Sequence, residues 1–170
     1  AQTCDVPVRC LYEEVAGNAS SRNRGIREST GEWLAFFDDD QFAESHWLLN
    51  LLSTAQKTNA LVVGGPVHLD LDSETIEELS PACRSTLREM LPYQDDCQYE
   101  EDVIPGTGNL FVARVLFDRI GLFAPDIREG GSDWKLVNDA REAGYVPWYS
   151  SKAGIRHRVE GNRLLPAYFR

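Results

Sequence analysis

The run Gly31-Glu-Trp-Leu-Ala-Phe-Phe-Asp-Asp-Asp-Gln41 carries five consecutive apolar residues, Trp33 to Phe37, straight into three carboxylates. A short apolar run without polar alternation predicts a strand buried on both faces, as in parallel sheets. Open α/β sheets bind ligands just beyond the carboxyl ends of such strands, where Asp38, Asp39 and Asp40 fall. Extended chain would turn Asp38 and Asp40 one way and Asp39 the other. Three adjacent negative charges repel unless water or a cation screens them. A hard divalent cation, Mg²⁺ or Mn²⁺, shared between one or two carboxylates and substrate phosphates would do so. On these residues alone an equal alternative stands, in which Asp40 begins the next helix and the others are solvated.

Outward from this run, Val6 to Tyr12 predicts a short strand, and Asn18 to Thr30 a helix capped by Asn18 and stopped at Gly31. That helix has few apolar residues besides Ala19 and Ile26 and carries Arg22, Arg24 and Arg27. Either its basic face is solvated, or Arg22 points back over the carboxylates to meet a phosphate or base. Downstream, Glu44 to Lys57 predicts an amphipathic helix with Trp47, Leu48, Leu51, Leu52 and Ala55 as its core stripe. Ala60 to Val67 predicts a second buried strand, closed by Gly64-Gly65-Pro66. The alternation is that of an α/β wound sheet.

Residues 70–102 are acidic and irregular, with Thr75 to Leu91 predicted helical despite Pro81. Long segments of this kind are often functional. Pro105 to Asn109 predicts a tight turn, followed by a helix from Arg114 to Ile120 that Gly121 stops. The Gly-x-Gly within the turn is expected turn chemistry. Arg128 to Asp133 leads into a helix over Trp134 to Ala143, with Ser132 as N-cap and Asp133 in the first turn, where the helix dipole favours an anion. Tyr145 to Tyr149 predicts a last short strand. His157, between Arg156 and Arg158, is read as lying outside the core; it could be a metal ligand, although a lone histidine is usually not one.

The chain has 170 residues, a length that suits one domain with a real core. A net charge of −10 and a pI near 4.7 argue against a nucleic-acid-binding surface. No apolar run approaches the roughly 20 residues of a membrane span, and no signal-peptide pattern stands out. Cys4, Cys10, Cys83 and Cys97 form no CxxC pair. Cys4 and Cys10 in extended chain would lie ~20 Å apart, too far for a disulfide. Free thiols predict a cytoplasmic setting, with a peripheral position at the inner membrane face as a variant.

Read together, these segments resemble the family-2 glycosyltransferases, inverting enzymes of the GT-A fold that use nucleotide-sugar donors. Ser21-Arg-Asn-Arg-Gly-Ile26 followed by Gly31-Glu-Trp-Leu34 resembles "ARNxGi…a.GewiaflD", and Asp38-Asp-Asp40 resembles the DxD motif. Gly106-Thr-Gly-Asn109 through Phe117-Asp-Arg-Ile-Gly121-Leu-Phe123 resembles "GxGN…rr..f..iGxFde". Gly131-Ser-Asp133 stands where the family has its "ED" motif, and Ile155-Arg-His157 where it has a strand ending in histidine. Five pieces in family order, over residues 6–163, make a specific signal.

The resemblance implies a role for each candidate. Asp38 would bind the nucleotide ribose, with Arg22, Asp39, Asn109 and Arg163 as further nucleotide or donor contacts, Arg22 near the base and Arg163 on the diphosphate. Asp40 and His157 would hold a divalent cation, Mn²⁺ or Mg²⁺. Asp133 would be the general base toward a glycan, lipid-linked or small-molecule acceptor. The expected fold is α/β: a GT-A-like, Rossmann-related, mostly parallel sheet flanked by helices. It forms a single domain over 1–170, with the nucleotide-binding half at about 6–67 and the acceptor half at about 68–170.

The chain departs from the family at three points. Ser132 replaces the glutamate before the base, and Lys135 replaces an acidic residue after it. The opening "vsVIIPtyN" and "vvDdgStD" elements are not found, so the domain is expected to be N-terminally incomplete. Trp33–Phe37 would then present an open edge, covered by Val6–Tyr12, by a second copy in a homo-oligomer, or by another chain. Two other functions compete: a non-catalytic remnant of the same fold, and a metal-dependent phosphoesterase.

Overall fold

The computed structural model describes residues 6–127 and 131–169. Cys4 and Arg128–Gly130 lie outside them; Cys10, Cys83 and Cys97 are free thiols. A five-stranded sheet in the order β1-β6-β3-β7-β5 forms the centre, built from β1 (Trp33–Phe36), β3 (Val62–Gly64), β5 (Cys97–Gln98), β6 (Leu110–Ala113) and β7 (Trp148–Tyr149). A smaller sheet, β2-β8-β4, joins β2 (Gln41–Ala43), β8 (Ile155–Arg158) and β4 (Val67–Asp70).

The α/β class stands, but the central sheet is mixed. Strand β6 pairs antiparallel with both β1 and β3, while β3 and β7 pair parallel. So β1, β3 and β7 share one direction, and β6 runs against them between β1 and β3. Its register explains this: Leu110, the first residue of β6, sits opposite both Phe36 and Gly64, which end β1 and β3. The chain re-enters the sheet at the carboxyl ends of its neighbours and can only run back. The Pro105–Asn109 turn therefore lies beside the acidic segment that follows β1.

The apolar runs of β3 and β6 are buried on both faces, and alternation sorts their side chains into two layers. Leu34, Val62, Leu110 and Val112 pack with α1 (Asn18–Glu28), α5 (Arg114–Ile120) and α6 (Ser132–Glu142) through Ile26, Leu116, Phe117 and Leu136. Val63 and Phe111 face α2 (Trp47–Thr58) through Leu51 and Ala55, and Trp33 stacks on Phe111 with ring centroids 4.7 Å apart. Strand β1 is less enclosed than its composition predicts. It closes one end of the sheet, and Ala35 is exposed.

Several local readings change. Val6–Tyr12 forms no strand; it lies outside both sheets, with Val8 92% exposed, and Arg9 reaches Glu28 at 2.7 Å. Without a paired backbone its β-branched residues have nothing to pack on. Gly17, at φ 133°, takes the cap position of α1, and Asn18 is already helical. The far end of α1 is held by Arg114, which donates to the carbonyls of Gly31 (2.7 Å) and Ile26 (3.0 Å), satisfying a helix-end acceptor. Leu48 lies off the core stripe of α2 and is exposed. The single strand read over 60–67 is two, because Gly65-Pro66 steps the chain from one sheet to the other. A β-carbon on Gly65 would come 2.3 Å from the Ala153 carbonyl oxygen. Pro81 starts a helix instead of interrupting one: α3 (Ser73–Glu78) is capped by Asp72, and α4 (Pro81–Thr86) by Ser80.

Tyr93, Tyr99 and Tyr149 pack edge to face, with centroids 5.3 to 5.7 Å apart. Burial first, then the nearby Cys97 and Asp96, pushes the Tyr149 phenol from 10.0 up to about 12, and burial raises Tyr99 well above its ordinary range. Protonated phenols thus stabilise the native state fully below pH 10.0, and this contribution is lost as pH rises through about 12. Denaturant midpoints should fall across that window, and Tyr149→Phe should make the fall shallower.

Candidate active site

The three aspartates owe their placement to a turn. Strand β1 ends at Phe36, and the backbone then bends through Asp39 and Asp40 into β2. The Asp38 amide donates to Gln41 Oε1 at 3.0 Å, and the Arg158 amide on β8 donates to the Asp40 carbonyl at 2.8 Å. Strand alternation therefore does not apply, and all three carboxylates line one cleft of about 520 Å³. Gly108 closes the turn from the opposite side. A β-carbon there would meet Gln41 Nε2 at 2.3 Å and Asp38 Oδ2 at 2.9 Å. The second glycine of the Gly-x-Gly pair thus leaves room for the Gln41 and Asp38 side chains at the cleft wall.

Arg22 reaches the cleft because α1 is pinned beside it. The buried Asn23 amide donates to the Phe123 carbonyl at 2.8 Å, and the Phe123 amide donates back to Asn23 Oδ1 at 3.0 Å. The Arg22 guanidinium then lies 5.7 Å from the Phe123 ring centroid and 4.0 Å from Asp38 Oδ1. Although nearly half of the Asp38 side chain is exposed, desolvation by the cleft walls raises its carboxyl above the usual 3.8. Arg22 opposes the rise, and Asp40 adds to it.

Contrary to its reading as outside the core, His157 is buried, because alternation along β8 turns it inward between β2 and β4 while Arg156 and Arg158 face out. Its Nδ1 lies 2.9 Å from the Leu87 carbonyl oxygen, which can only accept, so Nδ1 carries a hydrogen. In the neutral ring Nε2 is then a bare lone pair. That lone pair lies 3.0 Å from Asp40 Oδ2. Two acceptors at this distance need a proton or a cation between them. A shared proton would make the contact an ordinary hydrogen bond, whereas an imidazole oriented by a carbonyl behind it, beside a carboxylate, could also serve as a metal donor pair. Among the described residues no group of three or more His, Cys, Asp or Glu side chains converges. If a divalent cation bound here, Asp40 and His157 could supply two protein donors, and its remaining positions would fall to phosphate oxygens and water.

Asp133 lines the same cleft from the first turn of α6, and its Oδ1 accepts from the Trp134 amide at 2.9 Å. Gly131, at φ 83°, occupies the cap position predicted for Ser132, which is buried one place inside the helix. Lys135 turns along the helix to Asp139 at 2.7 Å and leaves the cleft to Asp133. Arg163, on a 3₁₀ turn over Gly161–Leu164, completes the group.

Of the residues singled out in the sequence, Arg22, Asp38, Asp39, Asp40, Asp133, His157 and Arg163 share the cleft, and Asn109 does not. Its amide is 1% exposed and fully used in the core. It donates to the carbonyls of Pro66 (3.1 Å) and Ala153 (2.8 Å), and it accepts from the Trp47 indole at 2.8 Å. No group remains for a donor molecule. The sequence reading missed Gln41, Thr107, Arg88 and Met90 in the cleft wall. Gln41 could have been found from its place directly after the acidic run. Arg88 and Met90 carried no signal within the irregular 70–102 segment.

Residues 2–120 match Glycosyl transferase family 2. The chain belongs to this family. It is 30% identical over 139 residues to glycosyltransferase AglE of Haloferax volcanii, covering 79% of this chain and 42% of that protein. It is 49% identical over 60 residues to succinoglycan biosynthesis protein ExoM of Rhizobium meliloti, covering 35% of this chain and 18% of that protein. The uncharacterized glycosyltransferase YwdF of Bacillus subtilis is 26% identical over 136 residues, covering 72% of this chain and 47% of that protein. The chain thus spans less than half the length of the curated relatives it matches. Among solved structures, GalNAc-T7 crystallised with UDP, GalNAc and Mn²⁺ superposes with a TM-score of 0.61 at 14% identity. The match covers 85% of this chain and 31% of that one, and it shows the fold: GT-A.

Two outcomes follow for the site residues. A raised Asp38 carboxyl means that the native state holds its proton more tightly than the unfolded chain, so ionisation above 3.8 costs stability. Asp38→Asn should raise the metal-free melting temperature at neutral pH, and the gap should close as pH falls to about 3. Asn109→Ala strands the Trp47 indole N–H and the Ala153 carbonyl, whereas the Pro66 carbonyl keeps the Ile155 amide. At about 1–3 kcal/mol for each buried orphan, it should cost several kcal/mol in denaturant titrations.

Proposed function

We propose that the cleft transfers a sugar from a nucleotide-sugar donor to an acceptor hydroxyl with inversion at the anomeric carbon. The observation that carries this reading is the meeting of the Asp38–Asp40 turn, His157 and Asp133, from three separate elements, in one cleft. Family membership and the UDP, GalNAc and Mn²⁺ of the GT-A neighbour support the choice of donor class and cation.

Asp38 and Arg22 would hold the nucleoside and Arg163 the diphosphate. Asp40 and His157 would hold a divalent cation, which supplies charge stabilisation to the departing diphosphate. Asp133 takes the proton from the acceptor hydroxyl. The acceptor oxygen forms a bond to the anomeric carbon from one face, and the bond to the diphosphate oxygen breaks on the other. A carboxylate within hydrogen-bond reach of the acceptor is all the base catalysis this step requires. The acceptor would be a glycan, a lipid-linked sugar or a small molecule, met on the cytoplasmic side.

A second reading keeps the fold without turnover. It is favoured by the outer edge of β1, which pairs with no strand among the described residues. Donor hydrolysis in the presence of Mn²⁺ separates the two, since only the first reading expects released nucleoside diphosphate.

Asp133→Asn should lower kcat at least about 100-fold, the contribution typical of a general base, while leaving nucleoside-diphosphate affinity within about twofold of wild type. Equal loss of both would return Asp133 to a helix-terminus role. Asp40→Asn with His157→Ala should abolish the dependence of nucleoside-diphosphate binding on added Mn²⁺ in calorimetry.

A further inference from the structure

Helix α4 ends in a two-bond turn: the Arg88 amide donates to the Ser85 carbonyl and the Glu89 amide to the Arg84 carbonyl, each at 3.0 Å. This is the Schellman arrangement, whose left-handed position is usually glycine. Here that position holds Arg88, with φ at 76°. The other non-glycine residues with positive φ, His46 and Asn59, do not line the cleft, whereas Arg88 does. Strain of this kind, held beside a binding cleft, points from geometry toward a role for the side chain.

The turn is clamped on both sides. Leu87 is buried, and its carbonyl receives the His157 Nδ1 hydrogen. Two residues on, Met90 exchanges backbone hydrogen bonds with Val67, each at 2.9 Å. Arg88 is thus carried on the cleft wall directly behind the histidine that faces Asp40. Its side chain is exposed and makes no hydrogen bond or ion pair among the described residues, whereas Arg84, four places earlier, pairs with Glu89 at 3.6 Å. Arg22, by comparison, already faces Asp38. A guanidinium offers a planar fork of donors that matches phosphate and carboxylate oxygens.

We infer that Arg88 is a substrate-binding residue that grips an anionic oxygen group, phosphate or carboxylate, of the molecule in the cleft. The inference rests on the reading of this cleft as the substrate site. The anion is either the diphosphate of the donor or a charge carried by the acceptor.

The test is calorimetric titration of the full chain, wild type and variants, with inorganic pyrophosphate plus Mn²⁺ and separately with glucuronate, beside melting curves. Asparagine tolerates the left-handed conformation. Arg88→Asn should therefore melt above wild type yet bind one of the two anions about tenfold more weakly, the loss expected for a charge-assisted contact. Arg88→Lys should lose less. Weakened pyrophosphate binding assigns the contact to the donor, and weakened glucuronate binding to the acceptor. Should Arg88→Asn not fold, Arg88→Gln removes the charge while keeping the turn as it is. Unchanged affinity for both anions in the variants, or no binding of either by wild type, overturns the inference. Donor hydrolysis reports separately: its absence with an Arg88-dependent anion site sinks only the glycosyl-transfer reading. Its presence with Arg88-independent binding sinks only this one.

Discussion

The carboxamide of Asn109 is the contact on which the rest of the molecule hangs. One side chain ties the indole of Trp47 at the start of α2, the step between the two sheets at Pro66, and the approach to β8 at Ala153. None of these neighbours is close in sequence. With the amide in place, β2, β4 and β8 can form only beside the carboxyl end of β1, which sets the acidic turn against His157. A buried polar network of this kind is valuable when complete and costly when broken. That explains an asparagine 1% exposed beside the leucines, valines and phenylalanines of the core.

Much of this arrangement was legible in the residues. The apolar runs read as strands at 33–37 and 60–67 do hold strands, β1 over Trp33–Phe36 and β3 over Val62–Gly64, whereas β6 was not read as one. Gly121 stopped α5, and the acidic run did lie in a cleft. Seven of the eight site residues drawn from the family motifs converge there. The exception, Asn109, failed for a physical reason: its motif position was right, but its partners lie 43, 44 and 62 residues away, and no local pattern shows them. The same limit hid β2 and the division of 60–67, since strands of three or four residues are fixed by pairing rather than by propensity. Val6–Tyr12 erred in the opposite direction, with strand-like composition and no partner.

The electrostatics of the cleft follow from crowding. Asp38, Asp39, Asp40 and Asp133 share one space with Arg22, Arg88 and Arg163. The carboxylates lie on rigid supports (a turn stitched to β8, a helix start), whereas the guanidiniums stand on longer stems. Such a cleft is complementary to a ligand that itself pairs anions with a cation, and a metal-bound diphosphate is of that kind.

The interleaving of strands also constrains how such a chain can diversify. Strands β6 and β7 lie against β3, and β8 lies between β2 and β4, so the halves at about 6–67 and 68–170 are sewn through one another. Neither can be exchanged without unpicking both sheets. The segment between β4 and β5 is different: it leaves from Asp70, returns at Cys97, and carries only the short helices α3 and α4. It touches the smaller sheet through the Val67–Met90 bridge and the Leu87 carbonyl. It is further held by the packing of Tyr93 on Tyr149 and by Asp96, which accepts from the Ser151 amide, and it forms one wall of the cleft. Substitutions in this wall can therefore change what the cleft contacts, provided that the Leu87 carbonyl behind His157 keeps its place.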